Sequence, residues 1–185
     1  MTVVEGGPDP AATRLVDALR DSGLTLGCAE SLTGGLLAAT VVGVPGASDV
    51  LRGAVVAYAP EVKTRVLGVD ASLVGRVGTV HADVAVAMAR GALDVLGCDL
   101  AVATTGVAGP GPSEGHPAGT VYVACVTRSA CEVRGLVLEG DRTQVREATV
   151  RTALELAASV ASSDHRGTVG PSSSPDAVDG EEATP

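Results

Sequence analysis

The segment at positions 25–35 constrains the fold more than any other part of the chain, and it reads Thr-Leu-Gly-Cys-Ala-Glu-Ser-Leu-Thr-Gly-Gly. Its first half has the composition of a buried strand, its second half is a tight polar turn, and residues with helical apolar spacing follow directly. A strand that runs straight into a helix points free backbone N–H groups into a cleft, where they can bind an anion or a developing oxyanion. The segment therefore predicts a strand–turn–helix unit with a ligand site at the turn.

The polar residues of this turn have two interpretations. In the first, Ser31 is a nucleophile, with Glu30 and Thr33 beside it in the site. In the second, Ser31 or Thr33 simply caps the helix, because Ser and Thr are common at helix starts. Gly34 and Gly35 then serve only to allow close packing. The segment alone leaves both interpretations open.

The rest of the chain alternates helical and strand patterns, which predicts an α/β fold. We expect a three-layer α/β/α sandwich with a mixed, mostly parallel sheet and an antiparallel hairpin late in the chain. Further strands are predicted at 51–58, 99–105, 119–126 and 132–138. Helices are predicted at 11–22, 34–42, 60–67, 70–74, 79–96 (or 81–96) and 141–162.

The apolar residues are almost all aliphatic, since the 185 residues include no Phe, no Trp and two Tyr, although 45% are hydrophobic. A single domain with a core of Ala, Val and Leu is therefore predicted over 11–161. Residues 1–10 are predicted to be a flexible lead-in, and 162–185 a disordered acidic tail rich in Ser, Pro and Gly. The formal charge is −9. With no basic stripe or aromatic platform, nucleic acid is not an expected partner.

Four cysteines, at positions 28, 98, 125 and 131, show neither C-x-x-C nor zinc-type spacing. Three of them lie in apolar runs, where a reduced cysteine behaves as a small hydrophobic residue. No metal, cofactor or redox role is therefore expected. There is no signal-type segment and no apolar run of membrane-spanning length, so we expect a cytoplasmic protein without a membrane partner.

Polar residues follow three of the predicted strands, at Glu30 and Ser31, at Tyr58, and at 104–106. In α/β sheets ligands bind beyond the carboxyl ends of the strands. We therefore expect these residues to converge on one cleft.

Lys63 is the only lysine, beside twelve arginines. Arginine keeps its proton at usable pH whereas a desolvated lysine can lose it, so a solitary lysine suits a role that needs a neutral amine. A solvated helix position is the alternative. Tyr58 ends the strand that leads into the helix of Lys63, so its phenol can share a pocket with the amine, or it can be an ordinary core aromatic. A Ser–Lys pair with a nearby tyrosine activates a hydroxyl without histidine.

The segment at 106–119 is too rich in Gly and Pro for regular structure, which predicts an ordered or mobile loop at the cleft. Successive N–H groups of its first part can cradle a phosphate or an oxyanion, although it matches neither a Walker loop nor a dinucleotide fingerprint. Arg142, at the start of the last helix, can hold a phosphate or carboxylate in bidentate fashion. Alternatively, Asp141 caps that helix and Arg142 is solvated.

Five segments resemble, in order and spacing, the C-terminal domain of the competence/damage-inducible CinA proteins and its stand-alone form, nicotinamide-nucleotide amidase. They are Ala-Glu-Ser-Leu-Thr-Gly-Gly at 29–35, Tyr-Ala-Pro-Glu-Val-Lys-Thr-Arg-Val-Leu-Gly-Val at 58–69, Thr-Gly-Val-Ala-Gly-Pro at 105–110, Pro-Ala-Gly-Thr-Val-Tyr at 117–122 and Gly-Asp-Arg at 140–142. The resemblance covers about residues 10–161.

The resemblance implies hydrolysis of the carboxamide of nicotinamide mononucleotide to nicotinate mononucleotide and ammonia. It assigns Ser31 as the nucleophile, Lys63 as its general base and Tyr58 as the third catalytic member. It also implies a possible homodimer. The residues it implies for substrate binding are Glu30, Thr33, Gly34, Gly35, Thr105, Gly106, Ala108, Gly109 and Arg142.

Some positions depart from the family pattern. Leu32 replaces a frequent Cys, which is harmless if it points inward, and the Ala59–Pro60 pair replaces a common Ser–Asn pair. The loop at 110–116 also differs from the usual glycine–serine run. Two alternatives to the implied activity therefore stay open: a nucleotide-binding or regulatory module without catalysis, and an amidase for another small amide.

Overall fold

A computed structural model describes residues 7–166, which form a five-stranded sheet with helices on both faces. The strands are β1 (Leu26–Glu30), β2 (Leu51–Val56), β3 (Leu100–Gly106), β4 (Thr120–Val126) and β5 (Cys131–Val137). The helices are α1 (Pro10–Ser22), α2 (Leu36–Val42), α3 (Pro60–Arg65), α4 (Ala71–Val77), α5 (Ala82–Leu96) and α6 (Arg142–Arg166). None of these helices is long and apolar enough to cross a membrane.

The strand order in the sheet is β2-β1-β3-β4-β5. The pairs β1–β2 and β1–β3 are parallel, whereas β4 runs antiparallel to both β3 and β5. Four strands therefore point in one direction and β4 in the other. The predicted three-layer α/β/α architecture, its mixed and mostly parallel sheet and its late hairpin are confirmed.

Two hydrophobic clusters lie on opposite faces of the sheet, and both consist mainly of Ala, Val and Leu. One packs the sheet against α1, α2 and α6, and the other packs it against α5, with contributions from the segment that holds α3 and α4. Many small aliphatic contacts thus replace the few large aromatic ones that this composition lacks. Three of the cysteines are buried and only Cys131 is exposed; all four are unpaired.

The structure shows β2 exposed on one face and corrects two predicted element ends. Strand β2 is an edge strand whose residues alternate between half-buried and exposed, so its two faces are not both covered. It ends at Val56, since Ala57 and Tyr58 leave the sheet to begin the turn into α3. Helix α6 continues to Arg166, beyond the expected end at 162. Residues 1–6 and 167–185, where most of the predicted lead-in and tail fall, lie outside the described residues.

Because β1, β2 and β3 are parallel, their carboxyl ends lie side by side at the same end of the sheet. Glu30 pairs with Val56 on one side and with Thr104 on the other. The Ser31 N–H then donates to the Thr104 carbonyl at 2.9 Å, and the Ala57 N–H donates to the Glu30 carbonyl at 2.8 Å. The predicted convergence of the polar strand ends on one cleft is confirmed.

Candidate active site

Ser31 and Lys63 are 32 positions apart in the chain, and their side chains are in hydrogen-bond contact. Ser31 lies in the turn after β1, and Lys63 lies in α3, which Pro60 begins at its first turn. The Lys63 Nζ donates to the Ser31 Oγ at 3.0 Å. A hydroxyl and an amine in this arrangement have the geometry of a nucleophile and its general base.

The Lys63 amine is buried, with 1% of the residue exposed. It also donates to the Ala57 carbonyl at 2.7 Å and to the Tyr58 carbonyl at 3.4 Å. Burial lowers the pKa of Lys63 from 10.5 to about 8, against the opposing effect of the carboxylates of Glu114 and Glu61. The solvated alternative for this lysine is therefore excluded, and the amine is easier to deprotonate than an ordinary lysine.

Helix α2 is capped by the side chain of Glu30, not by Ser31 or Thr33. The Glu30 carboxylate is fully buried and accepts from the N–H groups of Gly35 at 2.8 Å, Leu37 at 3.1 Å and Ala38 at 2.9 Å. A carboxylate at this position satisfies the free N–H groups of the first turn and complements the helix dipole. This corrects the expectation that Glu30 contacts substrate, because its oxygens are used inside the protein.

The capping by Glu30 leaves the Ser31 hydroxyl free for the amine. Thr33 is occupied elsewhere, since its Oγ1 shares a hydrogen bond with the Oγ1 of Thr104 at 2.8 Å and is fully buried. Within residues 7–166 the backbone N–H of Leu32 donates to no acceptor. The Leu32 side chain packs into the hydrophobic core, which meets the condition under which replacement of the frequent Cys is harmless.

A pocket of about 350 Å³ opens beside Ser31, within the usual size range of ligand sites. Of the residues predicted to form the site, it is lined by Ser31, Tyr58, Gly106, Ala108, Gly109 and Arg142. The other predicted binding residues are Glu30, Thr33, Gly34, Gly35 and Thr105, and they lie outside its lining. The two threonines stabilise the loops behind the pocket, and the Thr105 hydroxyl donates to the Thr79 carbonyl at 2.8 Å.

The Tyr58 phenol makes no hydrogen bond to Ser31 or Lys63, so the third catalytic member that the resemblance implies is not in direct contact with the pair. Its oxygen accepts from Arg142 at 2.8 Å, and more than half of the residue is exposed at the pocket rim. Arg142 also donates to the Gly109 carbonyl at 2.8 Å. Asp141 does cap α6, through the N–H groups of Thr143 and Gln144, but Arg142 is bonded to the pocket wall.

The glycine-rich loop carries one functional candidate that the sequence analysis missed. Glu114 lines the pocket, and its carboxylate accepts hydrogen bonds from the N–H and the hydroxyl of Thr79. These bonds tie the loop to the segment before α5. The signal available in the sequence was a lone acidic residue in a loop rich in Gly and Pro. Its partner Thr79, however, lies 35 positions away in the chain.

Comparison with known proteins identifies relatives over most of the chain. Residues 9–161 match the family model described as the CinA C-terminal domain. The chain is 43% identical over 154 residues to a CinA-like protein of Geobacter metallireducens, and 44% identical over 154 residues to one of Frankia casuarinae. These matches cover 83% of this chain, but only 37% and 36% of the relatives, so the chain spans about a third of their length.

Solved structures resemble this fold over nearly their whole length. A CinA superfamily protein of Klebsiella pneumoniae aligns with a TM-score of 0.80 and 33% identity, covering 83% of this chain and 96% of that one. A competence/damage-inducible protein of Agrobacterium tumefaciens aligns with a TM-score of 0.80 and 35% identity, covering 86% and 99%. The similarity therefore extends through the elements that carry the pocket.

Proposed function

Because the chain belongs to the CinA C-terminal domain family, we propose that it is an amidohydrolase that converts nicotinamide mononucleotide to nicotinate mononucleotide and ammonia. The observation that carries this proposal is the 3.0 Å contact between the Lys63 Nζ and the Ser31 Oγ. The amine is buried, and its pKa is near 8, so a useful fraction of it is neutral close to physiological pH.

The partners of Lys63 serve both protonation states: the ammonium donates to all three oxygens, and the neutral amine can keep two of these bonds and accept from the third. A neutral amine has two N–H groups and one lone pair, and the three neighbours of the Nζ are two carbonyl oxygens and one hydroxyl. The carbonyls of Ala57 and Tyr58 accept the two N–H groups. The lone pair then faces the Ser31 hydroxyl, where it can accept the proton.

In the proposed reaction the Ser31 oxygen bonds to the carboxamide carbon while Lys63 takes the hydroxyl proton. The N–H of Leu32, which is free and adjacent to the nucleophile, supports the negative charge that develops on the amide oxygen. The carbon–nitrogen bond then breaks, and Lys63 returns the proton to the departing ammonia. Water attacks the resulting ester with Lys63 again as the base, which releases the carboxylate and regenerates Ser31.

Another part of the pocket lining, at Arg142, Ala108 and Gly109, suits the phosphate of a mononucleotide. Arg142 is fixed there by the Gly109 carbonyl and the Tyr58 phenol. Within the described residues the N–H groups of Ala108 and Gly109 have no acceptor, and both residues line the pocket. A guanidinium beside free backbone N–H groups is a typical environment for phosphate.

The direct test is ammonia release from nicotinamide mononucleotide by the purified protein, with Ser31→Ala as the inactive variant. We expect wild-type turnover and a loss of several orders of magnitude in the variant. Equal ammonia release by both proteins would reject Ser31 as the nucleophile. Release from other small amides, but not from nicotinamide mononucleotide, would support a different substrate, and binding without any release would support a non-catalytic module.

A further inference from the structure

The pocket beside Ser31 has a charge pattern that hydrolysis of an amide does not by itself require. Among the described residues that line it, only Glu114 and Arg142 carry a formal charge. Glu114 acts electrostatically on the Lys63 ammonium, whereas Arg142 is bonded to Gly109 and Tyr58. The pocket is therefore bipolar, with its negative group acting on the amine of the Ser–Lys pair.

Glu114 adopts a backbone conformation that is unusual for a glutamate. Its φ is 49°, and it is the only non-glycine residue with positive φ among residues 7–166. Glu114 and Gly115 form the two-residue tip of a short hairpin. Hydrogen bonds between Ser113 and His116 close this hairpin. Such tips are normally occupied by Asn, Asp or Gly. Local preference thus disfavours a glutamate here, and its place in the chain must be explained by what its side chain does.

The Glu114 carboxylate is held in place by hydrogen bonds within the protein. It accepts from the backbone N–H of Thr79 and from the Thr79 hydroxyl, the latter at 2.7 Å. Burial opposes ionisation of this group, but the hydrogen bonds from Thr79, together with the Val80 N–H and the charge of Lys63, hold the pKa of Glu114 below its ordinary value. It is therefore a fixed anion on the pocket wall at neutral pH.

We propose that Glu114 recognises positive charge on the ring that bears the carboxamide, so that the site selects N-alkylated pyridinium amides that carry a phosphate. This inference rests on the proposed function, which supplies the amide and the phosphate. The ring nitrogen of nicotinamide mononucleotide is cationic, whereas reduced dihydropyridines and benzamide analogues have neutral rings. Glu114 then acts on the ring and Arg142 on the phosphate, and both groups are fixed by bonds within the protein.

The test compares two substrates in two proteins. The substrates are nicotinamide mononucleotide and benzamide riboside 5′-phosphate, which keeps the amide, ribose and phosphate but has a neutral ring. The proteins are the wild type and Glu114→Gln, which removes the charge but keeps an oxygen for the Thr79 N–H and an amide for the Thr79 hydroxyl. We expect the kcat/KM for nicotinamide mononucleotide, divided by that for the benzamide analogue, to fall about tenfold in the variant, because the protein loses its preference for the cationic ring.

The ratio separates substrate recognition from any effect on Lys63, because a changed base affects both substrates alike. Glu61→Gln is the matched control, since Glu61 also acts on the Lys63 ammonium but does not line the pocket. Its substrate ratio should equal that of the wild type. An unchanged ratio in Glu114→Gln, or an equal fall in both variants, would overturn charge recognition by Glu114.

Binding measurements distinguish a failure of this inference from a failure of the proposed function. Calorimetric titration of Ser31→Ala, with and without Glu114→Gln, gives the affinity for each ligand without turnover. A selective loss of affinity for the cationic ligand supports charge recognition even if the wild type releases no ammonia. Ammonia release together with unchanged ligand selectivity would retain the amidase and reject the role of Glu114.

Discussion

Arg146 donates a hydrogen bond to the backbone carbonyl of Thr33 at 2.7 Å, which joins the last helix to the turn that follows Ser31. The two residues are 113 positions apart. This bond ties the turn that contains Leu32 to α6, in addition to the Glu30 cap at the start of α2. We therefore expect it to help position the Leu32 N–H that the proposed reaction uses.

Loss of the Arg146 bond should weaken the chemical step more than substrate binding. We expect Arg146→Ala to lower kcat about 10- to 100-fold with a smaller change in KM, since a misplaced oxyanion donor acts mainly in the transition state. Arg151→Ala is the matched control, because Arg151 is an exposed residue of the same helix. Steady-state kinetics of both variants provide the measurement. Equal effects of the two substitutions would show that Arg146 has no positioning role.

The pH dependence of turnover should report the Lys63 amine. Because the neutral amine is the active form and its pKa is about 8, kcat/KM should rise about tenfold per pH unit below this value and level off above it. The Glu61 carboxylate raises the pKa of Lys63, so Glu61→Gln should move the midpoint to lower pH. A profile that is flat between pH 6 and 9, or a midpoint near that of a histidine (about 6.5), would contradict Lys63 as the base.

The same amine should make folding stability depend on pH. The pKa of Lys63 is about 8 in the folded protein and 10.5 for an ordinary lysine, so between these values the unfolded chain binds more protons and stability rises with pH. Relative to Lys63→Met, the wild type should gain up to about 3 kcal/mol from pH 8 to pH 10.5. Urea unfolding of both proteins across this range measures the difference. A constant difference would mean that the folded amine titrates normally.

The Glu30 cap should be important for stability. Glu30→Gln replaces one carboxylate oxygen by an amide that faces the N–H groups of α2, and we expect a loss of about 1–3 kcal/mol. Asp70→Asn is the comparison, because Asp70 caps α4 from an exposed position through the Ser72 N–H. That change should have a much smaller effect, because Asp70 is exposed and Asn and Asp are similarly effective at helix starts. Similar midpoints for both variants in urea would contradict a buried capping role for Glu30.

Local sequence patterns predicted most of the architecture. The apolar period identified α1 and α5, which end at Gly23 and Gly97. The late antiparallel hairpin followed from two short apolar runs, because strand alternation and turn residues act between near neighbours. The chemistry of a lone lysine and of a serine after a strand also predicted the pair that the fold brings together.

The direction of each side chain was decided by contacts between distant parts of the chain. Glu30 and Ser31 are adjacent in sequence, yet one is used inside the protein and the other faces the pocket, because the sheet register fixes which way each side chain points. Tyr58 turns to Arg142, 84 positions away. The order of residues along the chain thus determined the elements and the reactive groups. Only tertiary packing decided that a lysine is desolvated beside a hydroxyl, since burial and partner geometry depend on residues that no local pattern relates.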